Sequence, residues 1–81
     1  YIHIVELRLK FTGDNSVTYE YCADYNNDWG EIHYTFGEDD YDVNSYVYAD
    51  KKGDFYFASA GEWIMKNANR KYIPKYMVIA L

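Results

Sequence analysis

Residues 46–60, YVYADKKGDFYFASA, contain the clearest β-hairpin pattern in the chain. Two runs in which aromatic residues alternate with other residues flank Asp50-Lys51-Lys52-Gly53, and the glycine of this turn tolerates a positive φ. Pairing of the runs sets tyrosines of the first against phenylalanines of the second, and such cross-strand pairs contribute roughly 0.2–1 kcal/mol each. We therefore expect a two-stranded hairpin here, with the other elements arranged around it.

The residues before this stretch predict three further strands. Residues 2–11, 17–24 and 31–36 alternate between apolar and polar side chains, which is typical of half-buried strands. Joining them through two turns predicts three rows of apolar or aromatic residues on one face: Val5–Ala23–Ile32, Leu7–Tyr21–Tyr34 and Leu9–Tyr19–Phe36. Because a slip of one residue would mix the two faces, the pattern favours this register.

A loop and a helix are predicted on either side of the hairpin. Residues 37–44 are acidic and show no clear period, so we interpret them as a connection between strands. Ser59 and Glu62 have the spacing of a capping box and predict a helix from Ala60 to residue 70 or 71. Pro74 prevents the helix from continuing.

The closing segment, residues 75–81, is apolar on both sides. This pattern favours an interior strand covered on both faces, and the alternative is an edge strand that pairs with another molecule. The whole pattern predicts an α+β fold: a mostly antiparallel sheet of about six strands, in the order β-β-β-β-β-α-β, with one helix packed on it. We expect a single small domain over residues 1–81. Since the chain starts at Tyr1 without an initiator methionine, we expect a mature form or a piece of a longer protein.

Charge and composition restrict the classes of partner. The formal net charge is −5, the pI is about 4.7, and the eight basic residues are scattered along the chain. Binding to nucleic acid or to an anionic membrane draws on clustered Lys and Arg, so neither partner is expected. A basic protein surface, a cation and a neutral ligand are all compatible with this charge. One cysteine, Cys22, excludes an internal disulfide.

Two acidic and aromatic segments form the predicted binding surface. An exposed Trp or Tyr is a favoured interface anchor, and carboxylates suit a basic partner. The predicted binding residues are Trp29, Tyr25, Asp28, Glu38, Asp39, Asp40, Tyr41 and Asp42. We expect a non-catalytic interaction module, similar in charge to an inhibitor or immunity-type protein, that holds a protein partner. The first alternative is a carbohydrate-binding or accessory module of a larger extracellular protein, in which these aromatic rings stack on a sugar.

A catalytic or metal-binding role is the other alternative to an interaction module. The predicted register places Glu6, Cys22 and His33 in one row, a set from which a thiol enzyme or a zinc site could be built. Side chains on a flat sheet face do not converge, however, so we expect no catalytic residues. Residues 24–28 have the D-x-N-x-D start of a calcium loop, but Trp29 stands where that loop requires glycine. We therefore expect no metal and no cofactor.

Overall fold

The computed structural model describes residues 2–81 and contains five strands in that range. They are β1 (Ile4–Thr12), β2 (Ser16–Ala23), β3 (Trp29–Thr35), β4 (Asp42–Ser45) and β5 (Tyr76–Ala80), and the helices α1 (Tyr48–Lys51) and α2 (Tyr56–Asn67) lie between β4 and β5 in the chain. The strands form one open antiparallel sheet in the order β4-β3-β2-β1-β5. The α+β prediction is therefore confirmed, with five strands where about six were expected.

The core lies between one face of the sheet and helix α2. Burial of this apolar layer is the main favourable contribution to folding, because it removes these side chains from water. The sheet contributes the buried residues Val5, Leu7, Val17, Tyr19, Tyr21, Ala23, Ile32 and Tyr34, and the helical half contributes Val47, Tyr56, Ala60, Ile64 and Ala68. The apolar positions that were predicted for one face of the first three strands therefore do share that face.

The register of β1 on β2 is as predicted, whereas that of β2 on β3 is shifted by four residues. Leu7 pairs with Tyr21, but Tyr21 pairs with Gly30 instead of Tyr34. A shift by an even number keeps every side chain on its face, so the alternation survives. Gly30 is needed in the strand because a Cβ there would lie 2.3 Å from the Tyr21 ring and 2.5 Å from the carbonyl oxygen of Ser45.

The predicted hairpin at residues 46–60 is wrong. This stretch contains the whole of α1 and the first turn of α2. Gly53, at φ 95°, follows α1 as glycine often does after a helix. Helix α2 starts at Tyr56 because the Asp50 carboxylate accepts hydrogen bonds from the backbone N–H groups of Tyr56 and Phe57, which a helix leaves without an internal partner.

Four other features also differ from the prediction. Since α2 begins at Tyr56, Ser59 and Glu62 lie inside the helix and form no capping box. The helix ends at Asn67, and the acidic connection contains the short strand β4. The closing strand β5 is an edge strand, not an interior one, because it pairs with β1 alone among the described strands.

Candidate functional site

The predicted binding residues lie at opposite ends of strand β3. Tyr25, Asp28 and Trp29 lie where β2 leads into β3, whereas Glu38 to Asp42 follow the other end of β3. The seven residues of β3 separate the two groups by roughly 20 Å. Trp29 lies on the sheet face that points away from α2, and the ring of Tyr41 packs against Gly61 of α2. The structure therefore does not bring Trp29 and Tyr41 together on one surface.

The acidic residues after β3 surround one cleft of about 250 Å³. We name it the acidic cleft and define it by its lining residues: His33, Thr35, Glu38, Asp40, Tyr41 and Asp42. His33 and Thr35 come from β3, and Asp42 lies opposite His33 at the start of β4. Asp39 belongs to the same loop and is exposed, but it does not line the cleft. Four of the eight predicted binding residues thus share one concave site.

The loop that carries the acidic cleft is anchored at both ends. At one end the Tyr34 hydroxyl donates a hydrogen bond of 2.8 Å to the carbonyl oxygen of Glu38. At the other end the backbone N–H of Tyr41 donates to Asp40 Oδ1 at 2.8 Å, and the Tyr41 ring lies on α2. Burial raises the pKa of the Tyr41 phenol, and the nearby carboxylates of Glu62 and Asp40 raise it further. Tyr41 is therefore a neutral side chain whose ring fixes this end of the loop on α2.

The carboxylates of the acidic cleft, which they share with His33, differ from Glu20 and Glu31 on the sheet in forming no ion pair within the described part of the chain. On the sheet, Glu20 accepts a bond from Arg8 at 2.9 Å and Glu31 accepts one from Lys10 at 2.5 Å. Within residues 2–81, no Lys, Arg or His forms an ion pair with Glu38, Asp40 or Asp42. The cleft therefore concentrates negative charge that the chain itself does not neutralise.

The polar groups beside Trp29 already form hydrogen bonds within the protein. Asp28 Oδ2 accepts the backbone N–H of Tyr48 at 2.6 Å, and Asn27 Oδ1 accepts the Trp29 Nε1–H at 3.4 Å. The guanidinium carbon of Arg8 lies 3.7 Å from the centroid of the Trp29 ring, so this ring is covered on one face. Tyr25 is 59% exposed. This end of the sheet keeps one exposed ring of the predicted set, but its hydrogen-bonding groups already have partners.

The row of Glu6, Cys22 and His33 is not formed. Glu6 does pair with Cys22, but Cys22 pairs with Trp29 on its other side, and His33 pairs with Thr18. Cys22 is fully buried, and burial raises the pKa of its thiol, which is the opposite of activation. No group of three or more His, Cys, Asp or Glu residues within residues 2–81 is arranged to hold a metal ion.

Two other clusters lie outside the predicted site: the contact of Tyr46 with Phe57 was predicted, but across a hairpin, and the second cluster was not predicted. Tyr46, Phe55 and Phe57 form edge-to-face ring contacts at 5.3 and 5.9 Å on the helical side, where a hairpin was predicted. The Tyr56 hydroxyl lies 2.6 Å from Asp24 Oδ2 and 2.8 Å from His3 Nδ1. Residues 3, 24 and 56 are far apart in sequence, so no local pattern could have joined them.

Comparisons with known proteins give no family to which the chain can be assigned. No protein-family model matches the sequence, and no curated protein and no solved structure matches at a significant level. Within residues 2–81, neither helix is long and apolar enough to cross a membrane. The acidic cleft and the surfaces described above are therefore the features of the molecule that bear on its function.

Proposed function

We propose that this domain is a non-catalytic binding module that holds a basic protein partner through the acidic cleft. The observation that carries the proposal is the set of three carboxylates, Glu38, Asp40 and Asp42, that line one concave site and form no ion pair with any Lys, Arg or His of residues 2–81. A lysine or arginine side chain of a partner would supply the missing positive charge. Arginine fits best, because its planar fork can donate to two carboxylate oxygens at once.

Two further features support this role. The net charge of −5 attracts a basic partner over a distance and raises the rate of encounter. The anchors at Tyr34 and Tyr41 hold the loop in one conformation, so little conformational entropy is lost on binding. The site therefore combines long-range attraction with a preformed contact surface.

A hexa-arginine peptide serves as a defined probe of this site. In an NMR titration at low ionic strength, we expect the largest amide shift changes at residues 33–42. The triple variant Glu38→Gln, Asp40→Asn, Asp42→Asn should bind the peptide about tenfold more weakly. That estimate follows because exposed ion pairs contribute about 0.2–1 kcal/mol each and 1.4 kcal/mol is a factor of ten.

The matched control is Asp14→Asn, Asp39→Asn, Asp54→Asn, which changes the net charge by the same amount. All three of these carboxylates are exposed and lie outside the acidic cleft, and Asp39 is the sequence neighbour of a lining residue. If the control weakens peptide binding as much as the cleft variant does, the peptide senses only the overall charge. The acidic cleft would then not be a binding site.

The carbohydrate-binding alternative has weaker support. The exposed rings of Tyr25 and Tyr48 at the other end of β3 offer stacking surfaces, and the bond from Tyr48 N–H to Asp28 places them at the same end. The side chains that would hydrogen-bond a sugar, however, are engaged within the loop. Sugar binding there would change little with salt, and this separates it from the proposed role.

A further inference from the structure

The two edge strands of the sheet differ greatly in how well they are protected against pairing with a further strand. The β4 edge is short and carries Asp42 and Asn44, features that discourage pairing with another strand. The β5 edge is formed by residues 76–81, YMVIAL, which include no charged residue and no proline. Tyr76 is 53% exposed and Val78 is 40% exposed. An uncharged apolar edge of this length is an open template for a further strand.

Hydrogen bonds to β1 show which backbone groups of β5 point outward. Leu9 N–H donates to the Lys75 carbonyl at 2.8 Å, and Leu81 N–H donates to the His3 carbonyl at 2.9 Å. Residues in an antiparallel strand alternate between the two neighbours, so the odd-numbered residues of β5 bond to β1. The N–H and C=O groups of Tyr76, Val78 and Ala80 therefore point away from the sheet. Within residues 2–81 no strand lies on that side.

We propose that the occupant of this edge is β5 of a second copy of this chain, paired antiparallel about a two-fold axis at Val78. This register places Val78 opposite Val78 and Tyr76 opposite Ala80. It is the symmetric register that uses all three outward-facing residues, each in a hydrogen-bonded pair with its counterpart. The result is one continuous ten-stranded sheet across two copies.

The absence of charge on the strand and the packing at the rim of the core favour pairing with a second copy. Each copy presents an uncharged strand to an uncharged strand, so no carboxylate or ammonium group is desolvated within the pairing. On the core side, Met77 and Ile79 pack against the core but stay half-buried at its rim. In the proposed register Met77 lies beside Ile79 of the second copy, so the pairing completes the burial of both.

Sedimentation equilibrium over a range of concentrations tests the pairing. We expect a reversible monomer–dimer equilibrium, with amide exchange at Tyr76, Val78 and Ala80 slowing as the dimer forms. Val78→Lys places two ammonium groups face to face on the axis and should leave a folded monomer, judged by circular dichroism. Asn44→Lys introduces the same residue on the other edge and should leave the dimer intact.

Disulfide trapping with introduced cysteines tests the register directly. It does not depend on showing that a variant fails to associate. In the dimer, Val78→Cys places its Cα about 5.5 Å from its symmetry mate, within disulfide range, so oxidised glutathione should link the two copies. Ala80→Cys lies about 14 Å from its mate, four residues along the strand, and should not be linked. A wild-type chain that stays monomeric at all concentrations, or equal trapping at both positions, would overturn the proposal.

Discussion

Asp50 connects three elements through one buried carboxylate. The Tyr21 hydroxyl donates to Asp50 Oδ2 at 2.5 Å, and the N–H groups of Tyr56 and Phe57 donate to the same carboxylate. The residue is 7% exposed, so water does not compete strongly for these bonds. This single side chain joins α1 to the start of α2 and to the centre of β2.

Replacement of Asp50 by alanine therefore leaves three donors without an acceptor. Because an unsatisfied buried donor costs about 1–3 kcal/mol, we expect the free energy of unfolding to fall by at least about 3 kcal/mol. Asp54→Ala, at an exposed position, should change it by less than about 0.5 kcal/mol. Urea unfolding of the two variants checks this, and similar midpoints would show that the Asp50 bonds contribute little.

Asp24 makes stability depend on pH in the acid range. Burial raises the pKa of this carboxyl, but hydrogen bonds from Tyr56, the Ile4 N–H and His3 outweigh burial and hold its pKa below the ordinary value of 3.8. With the folded pKa depressed, the unfolded chain takes up the proton first as the pH falls. The stabilisation is complete above the ordinary value and is lost as the pH falls through the folded one.

We expect Asp24→Asn to lose less stability than the wild type between about pH 5 and pH 2. Glu31 remains in the variant, and the hydrogen bond from Lys10 lowers its pKa in the same direction, so the dependence is reduced and not abolished. Urea unfolding at a series of pH values measures this pH dependence of stability in both proteins. Parallel curves for the two proteins would contradict the role of Asp24.

At the scale of elements, Gly61 sets how closely α2 approaches the acidic loop. A Cβ at this position would lie 2.4 Å from ring atoms of Tyr41, far inside van der Waals contact. In an ordinary helix, alanine is more stable than glycine by about 1 kcal/mol. Here the close contact reverses that preference, because the ring cannot move without disturbing the loop.

We therefore expect Gly61→Ala to lower the free energy of unfolding by about 1–3 kcal/mol, as overpacking does. In a Tyr41→Ala background the same change should become stabilising, since the ring is gone. Thermal unfolding of the four proteins of this double-mutant cycle gives the sign of the Gly61→Ala effect on stability in each background. Destabilisation of equal size in both backgrounds would mean that the ring is not the cause.

The same scale explains which elements could be predicted from sequence. The alternation of apolar and polar residues over 2–11 and 17–24 determines which side chains lie on each face of the sheet. Because the turn between β1 and β2 is short, only one pairing register of these two strands fits it. Alternation cannot distinguish registers that differ by an even number, so the pairing of Tyr21 with Gly30 was missed. That pairing depends on the shape of a ring against a backbone, which no periodicity encodes.

The error at residues 46–60 has a similar cause. The aromatic residues alternate as in a strand, but Tyr56, Ala60 and Ile64 also recur every four residues, and this helical spacing is the one that is buried. The carboxylate that starts α2 comes from Asp50, outside the helix, so the local capping pattern at Ser59 was misleading. Of the candidate site, the contiguous acidic loop was predictable. The separation of Trp29 from Tyr41 along β3 also follows from the length of that strand, whereas the different sides on which the two rings lie required the structure.

For the whole molecule, charge acts in opposite directions on the two proposed contacts. A basic partner at the acidic cleft is attracted by the net charge of −5, whereas two copies that pair through β5 repel each other. Salt screens both effects. The two surfaces can therefore be distinguished by ionic strength alone.

We expect the affinity for hexa-arginine to fall between 20 and 500 mM salt, and the dimer to become tighter over the same range. Titration calorimetry and sedimentation equilibrium measure the two responses. A dimer that weakens with salt would indicate that ion pairs, not the uncharged β5 edge, hold the copies together.

Cys22 offers a native reporter of local opening in the connection between β2 and β3. It is the only cysteine in the sequence, and it is fully buried at the end of β2, between β1 and β3. Its sulfur lies on the sheet face that points away from α2, 3.4 Å from Asn26 Oδ1, so a disulfide reagent can reach it only when the segment from Asn26 to Trp29 moves aside. The rate of thiol labelling in native buffer therefore measures how often the connection between β2 and β3 opens, with no engineered probe.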